Sequence, residues 1–136
     1  MKALFTVIGL AVLSACAADA GDEMPQEAEL YAVLYYADWC PSCKVLDPAL
    51  ERAKNSADLN NAPVLFVRLD LTNKKTKAQS ALLADALGIS EHLAANGGKT
   101  GYAVLIDADT GDAKGTLTKT MSDDAIAMAI KAGIAF

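Results

Sequence analysis

Two cysteines stand close together in the segment Trp39-Cys40-Pro41-Ser42-Cys43. An apolar run over residues 30–37 comes directly before it, and a helical pattern over residues 45–57 follows. This order predicts a buried strand, a tight turn and the start of a helix, with a dithiol at the joint. Pro41 suits the first helical position, because the N–H that it lacks would have no helical acceptor there.

The start of a helix gives the two thiols different predicted environments. Unpaired N–H groups and the positive end of the macrodipole favour an anion at this position. We therefore expect Cys40 at the helix cap, partly exposed, with a lowered pKa and with the amides of Ser42 and Cys43 facing its thiolate. Cys43 lies one turn further in and should be more buried. Because the thiolate is the nucleophile, the pattern indicates a redox dithiol in which one thiol attacks and the other resolves the mixed disulfide.

The same cysteine spacing also occurs as half of a zinc site, which requires about four ligands. Apart from Cys16, the chain offers only Cys40, Cys43 and one histidine, His92. The redox interpretation therefore leads, and it requires no cofactor and no metal. The alternative is a Cu(I)-binding protein that uses Cys40 and Cys43, with His92 as a further ligand, since soft thiolates favour Cu(I).

The N-terminus has the pattern of an export signal. Lys2 is followed by an apolar run over residues 3–13, which is too short to span a bilayer as a mature helix. Residues 1–15 are therefore predicted to be a signal peptide.

The end of this segment, Leu13-Ser14-Ala15-Cys16, resembles the lipobox of bacterial lipoproteins. The resemblance implies that Cys16 becomes the lipid-bearing first residue and that residues 16–29 form an acidic, flexible tether. It also implies a periplasm-facing location in the bacterial cell envelope, anchored to a membrane. Ala17 after the cysteine slightly favours the outer membrane.

Residues 30–136 are predicted to form one α/β domain, in the order β-α-β-α-β-β-α. The expected sheet is central and mixed, with about four strands flanked by helices, and the dithiol lies at the end of a central strand. After the first strand and helix, strands are predicted at 63–71, 102–106 and 113–118, and helices at 77–87, 90–95 and from 122 onward. The expected inward-facing residues are Leu82, Leu83, Ala86 and Leu87 in one helix, and Ile126, Ala129, Ile130 and Ile134 in the last.

The segment Tyr36-Ala37-Asp38-Trp39-Cys40, with Cys43, Lys44 and Pro48, resembles the active-site region of the thioredoxin superfamily. The order of elements over residues 30–134 resembles the thioredoxin fold. The amino-acid sequence around the dithiol and at residues 69–73 is especially similar to that of the periplasmic C-terminal domain of membrane thiol-disulfide interchange reductases. The resemblance implies that Cys40 is the nucleophile, that Cys43 resolves, and that the two form a redox-active disulfide. It also implies that Trp39 is a lid beside them, and the supporting residues are Pro41, Ser42, Lys44 and Tyr102.

Two positions depart from the pattern of that family. Leu34 stands where thioredoxins keep a buried acid, and Gly101 and Tyr102 stand where they keep a cis-proline before the third strand. A cis bond without proline costs about 2.5–4 kcal/mol, so the Thr100–Gly101 loop is predicted to be trans. The lost proline implies weaker presentation of substrate and a dithiol more open to metal. Because the pair between the cysteines tunes the potential, both redox directions remain open.

The expected partners follow from the net charge and from the resemblance. A net charge of −5 speaks against nucleic acid. The resemblance implies protein disulfides or dithiols of the cell envelope as substrates, with a membrane electron donor, and a monomer is expected. Residues 72–77 are predicted to form a basic loop, which is either merely solvated or steers an acidic partner.

Overall fold

The computed structural model describes residues 27–134, so the predicted signal peptide and Cys16 lie outside the described residues. Within that range the elements are β1 (Leu30–Tyr36), α1 (Pro41–Lys54), β2 (Val64–Asp70), α2 (Lys74–Ala86), α3 (Ser90–Asn96), β3 (Tyr102–Asp107), β4 (Ala113–Thr118) and α4 (Asp123–Ile134). This order confirms the predicted α/β class, including the short helix before β3. None of the described helices is both long and apolar enough to span a membrane.

The strands form one mixed sheet in the order β2-β1-β3-β4, with β1 in its interior. The strand β2 runs parallel to β1, whereas β3 runs antiparallel to it and β4 antiparallel to β3. The ends of β1, β2 and β4 and the start of β3 therefore lie at one edge, which we call the dithiol edge. At the opposite edge, Leu30 pairs with Asp107. Glu29, at the end of the predicted tether, is already fixed there, since its carbonyl accepts the Ala108 N–H at 3.0 Å.

Helices cover both faces of the sheet because β1 is apolar on both sides. Its alternate residues Leu30, Ala32 and Leu34 pack in one cluster with the buried residues of α1 and α4. Val33 and Tyr35 point the other way, into a second cluster with residues of β2, α2 and the start of α3. The dithiol thus follows a strand that is fixed from both sides.

The helix α2 differs from the prediction in both its start and its buried face. It begins at Lys74 rather than 77, because the Asn73 side chain accepts the N–H groups of Lys75 and Thr76, and Thr76 bonds back in a capping box. The predicted inward face was wrong for three residues: Leu82 is 74% exposed, and Leu83 and Ala86 are also exposed. Leu87, at the end of the helix, is partly buried against the second cluster, as predicted.

Small residues face the sheet from α2 instead. Ser80 and Ala84 are buried, and the Ser80 hydroxyl donates to the carbonyl oxygen of Asp70 at 2.8 Å. Small side chains let α2 lie close against β2, and this close contact determines which face of α2 is buried.

The helix α4 agrees with the prediction. The Ser122 hydroxyl accepts the Ala125 N–H, and Ile126 and Ile130 are buried against the sheet. Arg52 donates twice to the carboxylate of Asp123, at 2.7 and 3.0 Å, which ties α4 to α1.

Candidate active site

Cys40 is the N-cap of α1, as the sequence predicts. Its backbone is extended (φ −88°, ψ 113°), and Pro41 opens the helix. The Cys43 N–H donates to the Cys40 sulfur at 3.2 Å. The end of β1 and the start of α1 thus place the Cys40 sulfur on a free N–H group of the helix end, which stabilises a thiolate.

The exposure of Cys40 is lower than predicted. The side chain is only 4% exposed, and Cys43 is completely buried. The partial exposure expected for Cys40 was wrong because the loop before β3 lies directly against it. A Cβ placed on Gly101 would lie 2.7 Å from the Ser42 Cβ and 3.2 Å from the Cys40 sulfur. The absence of the family's proline at Gly101 was expected to leave the dithiol more open. The loop at Gly101 instead lies directly against the Cys40 sulfur.

The backbone of this loop is trans, as predicted, since no peptide bond between residues 27 and 134 is cis. Gly101 has φ +93°, a value that favours glycine, and its N–H donates to the Tyr35 carbonyl at 2.9 Å. The positive φ and the close contact with Ser42 together explain why glycine occupies this position.

The two thiols have pKa values displaced in opposite directions. Burial acts to raise the pKa of Cys40, but hydrogen bonds from the Cys43 thiol, the Thr100 hydroxyl and the amides of Cys43 and Ser42 lower it overall. Burial, together with the hydrogen bond and charge of Cys40, raises the pKa of Cys43 to about 11. The predicted contact of the Cys43 amide with the Cys40 sulfur is present at 3.2 Å, and the pKa of Cys40 is displaced in the predicted direction. Thr100 is a contributor to this lowered pKa that the sequence did not indicate.

A carbonyl and two tyrosines lie beneath the dithiol. The Tyr35 carbonyl accepts the Cys43 thiol at 3.6 Å in addition to the Gly101 N–H. The rings of Tyr35 and Tyr102 have centroids 5.2 Å apart, and burial followed by the proximity of Tyr102 raises the pKa of Tyr35 to about 12. Tyr102 therefore packs below the dithiol, against Tyr35. The described hydrogen bond of its hydroxyl is to Asn96 and not to either sulfur.

A buried asparagine fixes the loop that carries Thr100. The Asn96 side chain is 5% exposed; its amide donates to the Lys99 carbonyl at 2.9 Å and to the Tyr102 hydroxyl, and its oxygen accepts the Gly98 N–H at 3.0 Å. Sequence reasoning did not identify this residue. The only available signal was an asparagine directly before Gly97-Gly98, both of which have positive φ.

Trp39, predicted to be a lid beside the dithiol, is held by the segment that follows β2. Its side chain is 60% exposed, and its indole N–H donates to the Thr72 carbonyl at 3.2 Å. The Thr72 hydroxyl accepts the Asp38 N–H at 3.0 Å and donates to the Asp70 carboxylate. The segment between β2 and α2 thus holds the active-site turn, while Lys44 extends into solvent.

The alternative copper ligands are not brought together. His92 lies on α3, and its Nε2 is 2.7 Å from the carbonyl oxygen of Gly111, in the turn after β3. That turn lies at the edge opposite the dithiol, about 20 Å away along a seven-residue strand. In the described part of the chain, no three histidine, cysteine or acidic side chains form a group that could hold a metal ion.

The dithiol lies at the N-terminus of a helix, directly after a central strand. The sheet is mixed and carries helices on both faces. This arrangement is the thioredoxin-like fold. A family model described as Thioredoxin matches residues 14–84, more than half of the chain. The chain therefore belongs to the thioredoxin family.

The individual relatives agree with this assignment. Protein disulfide isomerase-like 1-2 of Oryza sativa subsp. japonica is 31% identical over 99 residues, which cover 67% of this chain and 18% of the relative. The chain thus spans less than a quarter of the length of the curated relatives that it matches.

Two solved structures show the same fold. A thiol:disulfide interchange protein of Chlorobium tepidum TLS has a TM-score of 0.53 at 19% identity and covers 84% of this chain and 85% of its own. A thioredoxin-related protein of Neisseria meningitidis serogroup B has a TM-score of 0.53 at 16% identity and covers 81% and 88%. At this identity the likeness concerns the fold alone.

Proposed function

We propose that this protein is a thiol-disulfide oxidoreductase in which Cys40 is the nucleophile and Cys43 the resolving thiol. The observation that supports this proposal is the position of the Cys40 sulfur at the start of α1, where it accepts the Cys43 N–H at 3.2 Å, with the Cys43 thiol buried one helix turn further in. The pKa values of the two thiols are displaced in opposite directions accordingly. A thiol with a lowered pKa supplies a thiolate near neutral pH, whereas its neighbour retains a proton until it is needed.

In the reducing direction, the Cys40 thiolate attacks one sulfur of a substrate disulfide. A Cys40–substrate disulfide forms, the substrate S–S bond breaks, and the released substrate thiolate takes up a proton. The Cys43 amide, whose N–H donates to the Cys40 sulfur at 3.2 Å, holds this sulfur in place for the attack.

Cys43 then loses its proton and attacks the Cys40 sulfur, which releases the second substrate thiol and leaves a Cys40–Cys43 disulfide. The substrate gains two electrons and two protons, and the protein dithiol is oxidised. Run backwards, the same steps oxidise a substrate dithiol. The lowered pKa of Cys40 serves both directions, because it also makes this sulfur a good leaving group.

We further propose that the mature protein works in the bacterial cell envelope, attached through a lipid on Cys16, with protein disulfides as substrates and a membrane electron donor. Support for the location comes from residues 1–16 of the sequence. Comparing the wild type with Cys16→Ala tests it: the wild type should partition with membranes and incorporate labelled fatty acid, and the variant should do neither. Fatty acid on the variant, or a wild type without it, would contradict the anchor.

The catalytic assignment is tested with Cys43→Ala, which removes the resolving thiol. In an envelope extract, this variant should accumulate mixed disulfides that reductant releases, whereas a matched Cys40→Ala/Cys43→Ala control should accumulate none. If Cys43→Ala forms no adduct, the mechanism fails. Equilibration of the wild type with glutathione then gives the direction: a potential near −270 mV, roughly that of thioredoxin, identifies a reductant, and one near ~−120 mV an oxidant.

A further inference from the structure

The basic residues of the described chain fall into two groups. Arg52, Lys54, Arg68, Lys114 and Lys131 each lie within 4.0 Å of a carboxylate. The others are exposed, and between residues 27 and 134 none of them has a carboxylate within that distance. We call this second group the lysine ring, and it consists of Lys44, Lys74, Lys75, Lys77, Lys99 and Lys119.

Every member of the lysine ring is attached to the dithiol edge. Lys44 follows Cys43, and its N–H lies 3.4 Å from the Cys40 carbonyl oxygen. Lys99 lies two residues before Gly101, where an added Cβ would be 3.2 Å from the Cys40 sulfur. Lys119 directly follows Thr118, which pairs with Tyr102 at the start of β3.

The remaining members lie on the first two turns of α2. This helix begins two residues after Thr72, whose carbonyl accepts the Trp39 indole N–H. Lys74, Lys75 and Lys77 therefore follow Thr72, the residue that binds the exposed Trp39, by two, three and five positions. The sequence left open whether these lysines are merely solvated or steer an acidic partner.

The position of these lysines is unfavourable for the isolated domain. The first turn of α2 contains no acidic residue, and positive charges there oppose the helix macrodipole and repel one another. The stability of the fold therefore does not explain the cluster, whereas the contacts of an external anion would.

Five carboxylates of the described chain lie at the opposite edge. Asp107, Asp109 and Asp112 lie in the turn between β3 and β4, and Glu27 and Glu29 flank the start of β1. At the dithiol edge itself, Asp38 is exposed, and Asp70 is hydrogen bonded by the N–H and hydroxyl of Thr72. Asp123 and Asp124 also lie near this edge, at the start of α4, and Asp123 is paired with Arg52. The six lysines of the ring outnumber these four carboxylates at this end of a chain whose net charge is −5.

We propose that the lysine ring docks an acidic polypeptide and brings its disulfide to Cys40. This inference rests on the proposed function and adds the class of substrate. An acidic polypeptide fits better than an anionic membrane, because the lysines lie on the segments that adjoin the dithiol and the occupant must carry the reacting sulfur to Cys40. Trp39, exposed directly before Cys40, supplies the apolar contact that a polypeptide interface uses. The lysine charges raise the rate of encounter.

The test uses two synthetic peptides with the same disulfide core, one flanked by glutamates and one by glutamines. The full chain is reduced, freed of reductant and mixed with each peptide in a single turnover. The variant Lys74→Gln/Lys75→Gln removes two charges of the ring, and the control Lys54→Gln/Lys131→Gln removes two charges elsewhere. Far-UV circular dichroism verifies that both variants are folded.

The wild type should reduce the glutamate peptide about tenfold faster than the glutamine peptide at low salt, and this preference should disappear at high salt. The ring variant should lose most of the preference, and the control should keep it. Equal preferences in the two variants, or none in the wild type, would overturn the proposal.

A neutral small disulfide, bis(2-hydroxyethyl) disulfide, tests the oxidoreductase function separately from the preference for acidic substrates. If the reduced wild type fails to cleave it and the oxidised wild type also fails to oxidise 2-mercaptoethanol, the proposed function itself fails in both directions. If the wild type cleaves the disulfide but binds vesicles of phosphatidylglycerol through the same lysines without preferring the glutamate peptide, the ring is a membrane contact and the acidic substrate is refuted.

Discussion

Replacing Gly101 with alanine should destabilise the domain through two separable effects. The backbone at Gly101 has φ +93°, and an added Cβ would lie 2.7 Å from the Ser42 Cβ and 3.2 Å from the Cys40 sulfur. Gly88 offers a matched control, because it has φ +71° and nothing within 4 Å of an added Cβ. Gly88→Ala therefore measures the backbone effect alone, and the difference between the two variants measures the overlap.

The expected magnitudes follow from these contacts. The left-handed backbone should cost about 1–2 kcal/mol of unfolding free energy in either alanine variant. The overlap at residue 101 should add about 1–3 kcal/mol, because neither the start of α1 nor the loop before β3 can yield without moving the dithiol. Ser42→Gly removes the nearer contact at its own cost of about 0.5–1 kcal/mol. It should therefore recover about 1–2 kcal/mol of the overlap in the double variant.

Urea unfolding of the reduced protein, followed by circular dichroism, gives the four free energies of this cycle and that of the Gly88→Ala control. We expect Gly101→Ala to be less stable than Gly88→Ala, and Ser42→Gly to be less harmful in the Gly101→Ala background than in the wild type. If the two alanine variants are equally stable, or if the two substitutions are additive, the proposed contact between the loop and the active-site helix is refuted.

Three further predictions concern the thiols and their support. Thr100→Val should raise the pKa of Cys40, since it removes a hydrogen bond that lowers it; absorbance of the thiolate against pH measures this, and an unchanged pKa would contradict it. Asn96→Ala should lose about 2–3 kcal/mol of unfolding free energy in urea, because it leaves buried polar groups without partners, whereas the exposed Asn55→Ala should lose much less; equal losses would contradict the role of Asn96. The reduced protein should lose stability as pH rises from 9.0 towards about 11, because the unfolded chain ionises Cys43 before the folded one does; Cys43→Ser should reduce this loss, and an unchanged slope would argue against it.

The order of the elements along the chain and the position of the dithiol follow from local patterns in the sequence. An apolar run before Cys40, a proline at the first helical position and the helical pattern beyond it together set the helix start at Pro41. Such signals lie within a few residues of one another, so no knowledge of distant contacts is needed to interpret them.

The wrong or missed features depend on contacts between distant parts of the chain. The buried face of α2 is set by how closely the helix approaches β2, which favours Ser80 and Ala84 over the more apolar Leu82. The burial of Cys40 comes from Gly101, 61 positions further along the chain. No periodicity or composition records either contact.

Because Leu34 stands where thioredoxins keep a buried acid, the deprotonation of Cys43 depends on the state of Cys40. Leu34 is 2% exposed in the apolar cluster with α1, and the described partner of the Cys43 thiol is a carbonyl, which accepts a hydrogen bond but cannot remove the proton. Once Cys40 enters a mixed disulfide, however, its sulfur carries no charge. Two of the causes that raise the pKa of Cys43, the hydrogen bond and the charge of Cys40, then vanish, and only burial remains. Formation of the mixed disulfide therefore itself makes Cys43 more acidic, at the step in which its thiolate is required.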